Sequence, residues 1–145
     1  MNSRVSVAIL ASVLASSAGC AFLDDLLGVN LTAVRLVNNG DFDVRAVLYF
    51  DDDQEIPREV LTEIGTRMEF TLAPGESASV IRDCDLIQAI VIDNAELMVI
   101  GQVGPETDTE VLRDGDDFGC GDTIVLTFDH GPLLTDFNIS VAVER

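Results

Sequence analysis

Asp114-Gly115-Asp116-Asp117, with Asp122 a few residues on, gathers four carboxylates into one glycine-containing stretch. Hard divalent cations take several such oxygens from a single flexible turn, so the chemistry open to this stretch is to hold calcium. The EF-hand spacing is not met: counting from Asp114, Phe118 stands fifth and Val125 twelfth, where a bidentate Glu is needed. A solvated hairpin is therefore the expected reading, and a calcium site on Asp114, Asp116, Asp117 and Asp122 is the alternative. Asp51-Asp52-Asp53 with Glu55 forms a second acidic run that marks an exposed turn, and two such turns at one end of a fold could share an ion. His130, in Asp129-His130-Gly131-Pro132, is the one histidine and so the one ready general base near neutral pH. It reads as a loop histidine, because no Gly-x-Ser-x-Gly turn offers it a nucleophile. A carboxylate pair for glycoside hydrolysis would want an aromatic-lined cleft, and the chain has no Trp and one Tyr. No catalytic residue and no enzyme activity are expected.

Cysteine chemistry is the other resource. If Cys20 is set apart, Cys84 and Cys120 remain as an even pair, which in an oxidising compartment reads as one disulfide. A zinc site or a thiol nucleophile would lack partners, with a single histidine and no Cys-x-x-Cys. Asn30-Leu31-Thr32 and Asn138-Ile139-Ser140 fit the glycosylation sequon. The second falls in a predicted strand and the leader described below looks bacterial, so neither is expected to be used.

The elements that must position these residues show a period of two from Leu31 onward, as half-buried strands do. Met68, Phe70 and Leu72 alternate with Arg67, Glu69 and Thr71; Ile124, Leu126 and Phe128 with Thr123, Val125 and Thr127; Phe137, Ile139, Val141 and Val143 with Asn138, Ser140, Ala142 and Glu144. Further strands are predicted over Leu31–Asn38, Val44–Phe50, Ser77–Arg82, Leu86–Asp93 and Glu96–Gly101, and one short helix over Pro57–Ile64. Turn chemistry separates them at Asn38-Asn39-Gly40, Ala73-Pro74-Gly75-Glu76, Asp93-Asn94 and Asp114 to Asp122. Seven to nine short strands predict an all-β antiparallel sandwich, since parallel pairing would need helical crossovers the chain has no room for.

The chain has 145 residues with 8 basic and 26 acidic side chains and a formal net charge of −18, and it contains no lysine. Such a field opposes nucleic acid and anionic headgroups, whose binding needs clustered Lys or Arg. Nucleic acid is excluded as a partner. Disorder is not expected either, because apolar residues make up 48% of the chain and lie in periodic runs. The acidity reads as solvated surface suited to a salty or cation-rich exterior.

Residues 1–19 read as an export signal: Arg4 supplies the positive region and Val5 to Ala15 the apolar one, too short to span a bilayer. Ser17-Ala18-Gly19-Cys20 resembles a bacterial lipobox, with Ser17 where that pattern usually has Leu. The resemblance implies cleavage before Cys20, a diacylglycerol on its thiol, and acyl chains such as palmitate that anchor the protein to a membrane. The alternative is an ordinary secretory signal. Residues 20–30 then form the lipidated cysteine and a tether whose apolar Ala21 to Leu27 would pack on the domain or lie at the membrane surface. Residues 31–145 form the sandwich. Ala21 carries no Asp retention signal, so the periplasmic face of an outer membrane is the expected address in a cell that has one.

Val37-Asn38-Asn39-Gly40, Val44 to Asp51 and Leu72-Ala73-Pro74-Gly75-Glu76-Ser77 resemble the first half of bacterial immunoglobulin-like domains of the cell-adhesion-related (CARDB-like) type. The resemblance covers residues 31–82. The second half, with its cysteines and Gly115 to Asp122, fits a small transthyretin-like extracellular domain equally well. What is implied is an immunoglobulin-like sandwich for adhesion, spacing or ligand display, without catalytic residues or cofactor. The expected protein is an envelope lipoprotein whose partners are the membrane and an envelope protein or polysaccharide. A calcium-dependent carbohydrate- or protein-binding domain is the alternative.

Overall fold

Alternating apolar side chains give each strand one face to bury, and two sheets closing on those faces form the molecule. The computed structural model describes residues 30–100, 104–132 and 134–145. The predicted leader, Cys20 and the tether as far as residue 29 lie outside the described residues. Nine strands are described: β1 (Leu31–Asn38), β2 (Asp43–Asp51), β3 (Thr66–Leu72), β4 (Ser77–Asp83), β5 (Ala89–Met98), β6 (Glu106–Thr107), β7 (Leu112–Arg113), β8 (Thr123–Asp129) and β9 (Asn138–Glu144). One sheet runs β4-β1-β8-β9 and the other β3-β2-β5-β6, with β7 also paired to β5. The inner faces meet in a core that includes Val34, Leu36, Leu48, Ile90, Ile92, Ile124, Leu126 and Phe128. A short helix, α1 (Arg58–Ile64), lies outside the second sheet, where Leu61 and Ile56 pack on Ala89 and Val91. The first half of β5 is thus buried on both sides, which is why it reads as the unbroken apolar run Ala89-Ile90-Val91-Ile92.

The all-β sandwich and the short helix stand as the periodicity predicts, with three differences. First, β1 pairs with β8 in parallel, Val34 opposite Ile124 and Leu36 opposite Leu126, while β1·β4 and β8·β9 are antiparallel. No dedicated crossover helix is needed, because most of the domain separates these two strands in sequence and serves as the connection. Second, Asp93-Asn94 is not a turn. The strand continues to Met98 through a bulge, with the register shifting between Arg45 and Val47 of β2, and Asn94 takes the extra residue at φ 61°. Asparagine tolerates that left-handed region better than most residues, so the same side chain that signals a turn also suits a bulge. Third, Leu86, expected to open a strand, instead ends a 3-10 turn over residues 84–86 that carries Cys84 away from β4, and β5 starts at Ala89.

β3 and β4 follow one another across the turn at residues 73–76 and close one edge of the sandwich. By strand order the opposite edge consists of β9 in one sheet and the two-residue β6 and β7 in the other.

Candidate functional site

The two acidic turns do come to the same end of the sandwich. Gln54 donates from Nε2 to the carbonyl of Asp114, and Arg113 donates to the carbonyls of Gln54 and Ile56. The bridge between them is therefore an arginine and an amide. Their carboxylates serve the turns themselves: Asp51 accepts the N–H of Asp53 at 3.1 Å and Asp53 that of Glu55 at 2.9 Å. Asp117 accepts the N–H of Arg113 and Asp122 that of Gly119, each at 2.8 Å. Asp114 and Asp116 make their turn contacts through backbone N–H groups to Gln88 and Arg113. Among the described residues no three His, Cys, Asp or Glu side chains gather where an ion could be held, Asp114, Asp116, Asp117 and Asp122 included.

An open cleft of about 420 Å³ lies beside the β5 bulge, lined by Asp93, Asn94, Glu106, Thr107 and Asp108. Arg58, at the first turn of α1, reaches its rim and pairs with Asp93 at 3.0 Å and Asp108 at 3.2 Å while donating to the carbonyl of Thr109. Thr109 in turn binds β5 twice, its Oγ1 accepting from and its N–H donating to Ile92. The positive group that this acidic cleft would attract is already supplied from within the chain. A second cleft of about 310 Å³ is lined by Phe50, Asp51, Asp52, Thr66, Arg82 and Leu86.

His130 is nearly buried against Phe42. Its Nε2 accepts the N–H of Asp41 at 3.0 Å and its Nδ1 faces the carbonyl of Gly131 at 2.9 Å, so the neutral ring protonated at Nδ1 satisfies both. Gly40 lets the ring sit this close: a Cβ there would lie 2.7 Å from Cδ2 of His130. Nδ1 is occupied in the loop after β8 and Nε2 in holding the β1–β2 turn, which are structural tasks. Beneath the same turn Asn38 is fully buried. Its Nδ2 donates to the carbonyls of Phe42 and Leu72 at 2.8 and 2.9 Å, and its Oδ1 accepts the N–H of Gly40 at 3.0 Å. Sequence reading singled out Asn38 only as part of a turn motif. Arg58, Arg113 and Gln54 gave no signal, since their partners lie more than thirty residues away.

On the outer face of the second sheet Glu69 sits between Arg45 and Arg67. Hydrogen bonds from Arg67 and then Arg45 hold its carboxyl below the ordinary carboxylate value, and the Arg67 guanidinium is raised by the same contact. The sulfurs of Cys84 and Cys120 are bonded at 2.02 Å, with Cα atoms 5.3 Å apart. The predicted disulfide thus joins the end of β4 to the start of β8, the two strands that flank β1. Cys20, the predicted lipidation site, lies outside the described residues.

No family model and no curated protein sequence matches the chain. In fold it is similar to the T6SS lipoprotein TssJ1 from Pseudomonas aeruginosa, at 15% identity and a TM-score of 0.43 over 80% of this chain and 97% of that one. It is also similar to the human-specific toxin intermedilysin, at 10% identity and a TM-score of 0.48, matching 79% of this chain but 24% of the toxin. The membrane-binding domain of pneumolysin gives 7% identity and a TM-score of 0.45, over 79% and 96% of the two chains. At these identities and scores the likenesses carry no functional argument.

Proposed function

We propose that the chain is an exported lipoprotein of the bacterial cell envelope, a non-enzymatic sandwich held at a membrane through acyl chains on Cys20 and serving a structural, adhesive or ligand-binding role. The observation that carries this reading is the leader ending in Ser17-Ala18-Gly19-Cys20, set ten residues before the first strand of a self-contained β-domain. The disulfide supports it, because such a bond persists in the oxidising compartments to which a leader would direct the chain. Occupied histidine nitrogens and an acidic cleft whose Asp93 and Asp108 are paired with Arg58 at its rim agree with a surface that displays rather than reacts.

The test is expression of the full chain with its leader, fed an alkyne fatty acid and fractionated. Wild-type protein is expected in the membrane fraction, carrying label and sensitive to inhibition of the lipoprotein signal peptidase. Cys20→Ser is expected to lose the label and the membrane association together. A wild-type chain that is cleaved, soluble and unlabelled would leave the ordinary secretory signal as the reading.

A further inference from the structure

We propose that β9 is a homodimerisation edge: two copies of the chain pair their β9 strands antiparallel, with Val141 on the two-fold axis, and join the two four-stranded sheets into one. Among the described residues β9 is paired on one side only, with β8. Its register there sets Ile139, Val141 and Val143 opposite Phe128, Leu126 and Ile124, so this row faces the core side of the sheet. Yet Val141 is 41% exposed, at an edge where the other sheet ends in the two-residue strands β6 and β7. An edge of this kind is a template for another strand, and soluble proteins usually guard such edges with charge, proline or a bulge. β3 is guarded by Arg67 and Glu69, and β4 ends on Arg82 and Asp83. β9 has no charged residue before Glu144 and no bulge in its pairing with β8.

The occupant that fits is a second copy, because the strand is complementary to itself. Val141 is the middle residue of Asn138–Glu144, so a two-fold axis through it pairs all seven residues. Ile139 then faces Val143 of the other copy, Val141 faces Val141, and Ser140 faces Ala142, which places apolar on apolar along the whole inner row. Glu144, already paired with Arg35 at 3.1 Å, faces Asn138, so a chain of net charge −18 meets itself without apposing two acids. Moving the axis to Ser140 would set Glu144 opposite Asp136, and moving it to Ala142 would set Ile139 opposite Arg145. The inference does not rest on the lipid anchor, though tethering to one membrane would raise the effective concentration of the two edges.

Single cysteines in the full chain, expressed with its leader and oxidised before a non-reducing gel, test the register. Residues directly opposite in an antiparallel pair have Cα atoms about 4.5–5.5 Å apart, within reach of a disulfide. Val141→Cys is therefore expected to form a covalent dimer. Ile139→Cys alone is expected to give at least tenfold less, since its own copies would lie on the order of 14 Å apart. Ile139→Cys and Val143→Cys expressed together are expected to cross-link to each other. Absence of the Val141→Cys dimer, in protein whose Cys84–Cys120 bond shows that it has folded, overturns the proposal. So does equal cross-linking of Val141→Cys and Ile139→Cys, which would report collision without register.

Discussion

Removing the Asn38 side chain would strand the carbonyls of Phe42 and Leu72 and the N–H of Gly40 beneath the β1–β2 turn. Leaving buried polar groups unpaired costs about 1–3 kcal/mol each where water cannot reach them, so Asn38→Ala is expected to destabilise the domain by roughly 3 kcal/mol. The neighbouring Asn39, which is exposed, is the control: Asn39→Ala is expected to stay within about 0.5 kcal/mol. Urea midpoints of the two variants check this, and equal midpoints would refute the assignment. Glu69 makes a different prediction because it lies at the solvent-facing surface. Its folded-state pKa lies below the ordinary value of 4.5, so the ionised carboxylate favours the fold above that value and the contribution is lost as pH falls through the folded pKa. Glu69→Gln is expected to show a small deficit at neutral pH that shrinks in high salt and closes in acid. A deficit that persists below both pKa values would mean that packing, and not charge, is what the substitution removes.

Elements are tied together mainly at the end of the fold where the chain enters β1. Cys84 and Cys120 are 36 residues apart and brace the two neighbours of β1, and closing a loop of this size restricts the unfolded chain by roughly 3–4 kcal/mol. Reduction, or Cys84→Ala with Cys120→Ala, is expected to lower unfolding stability by about that amount, measured in guanidinium with and without reductant. At the β5 bulge the expectation rests on φ: Asn94→Gly should be neutral or slightly stabilising, and Asn94→Val destabilising by about 1–3 kcal/mol. This is also where sequence and structure part. Period-two alternation located β1 and the starts of β4 and β8 to the residue, because these strands turn alternate side chains into the core. It broke β5 at Asp93-Asn94 because a bulge and a tight turn ask for the same left-handed asparagine, and only the partner strand distinguishes them. The pairing of β1 with β8, the Arg113 bridge and the Arg58 clamp were out of reach for a related reason. They join residues distant in the chain, and no local period encodes which distant partner a strand or a guanidinium will meet. The disulfide was legible because setting Cys20 apart as the expected lipidation site leaves Cys84 and Cys120 as a pair.

At the scale of the whole molecule the dominant fact is charge. A net −18 on 145 residues repels itself in the folded state, and added salt screens that repulsion over a Debye length that falls from about 30 Å at 0.01 M to about 3 Å at 1 M. Thermal stability is therefore expected to rise steadily with sodium chloride. Calcium separates screening from binding. A site that binds the folded state alone would add about 2.7 kcal/mol at a hundred times its Kd, which is a shift of several degrees for a domain of this size. The geometry argues against such a site: the carboxylates of Asp117 and Asp122 are engaged by their own loop, and the two acidic turns are joined through Gln54 and Arg113. Melting curves at fixed ionic strength, with chelator and then with millimolar calcium, are thus expected to superimpose. A calcium-dependent rise that disappears in the triple variant Asp114→Asn, Asp116→Asn, Asp117→Asn would instead make that loop a metal site, and would turn the reading from a tethered structural module to a calcium-dependent binding domain.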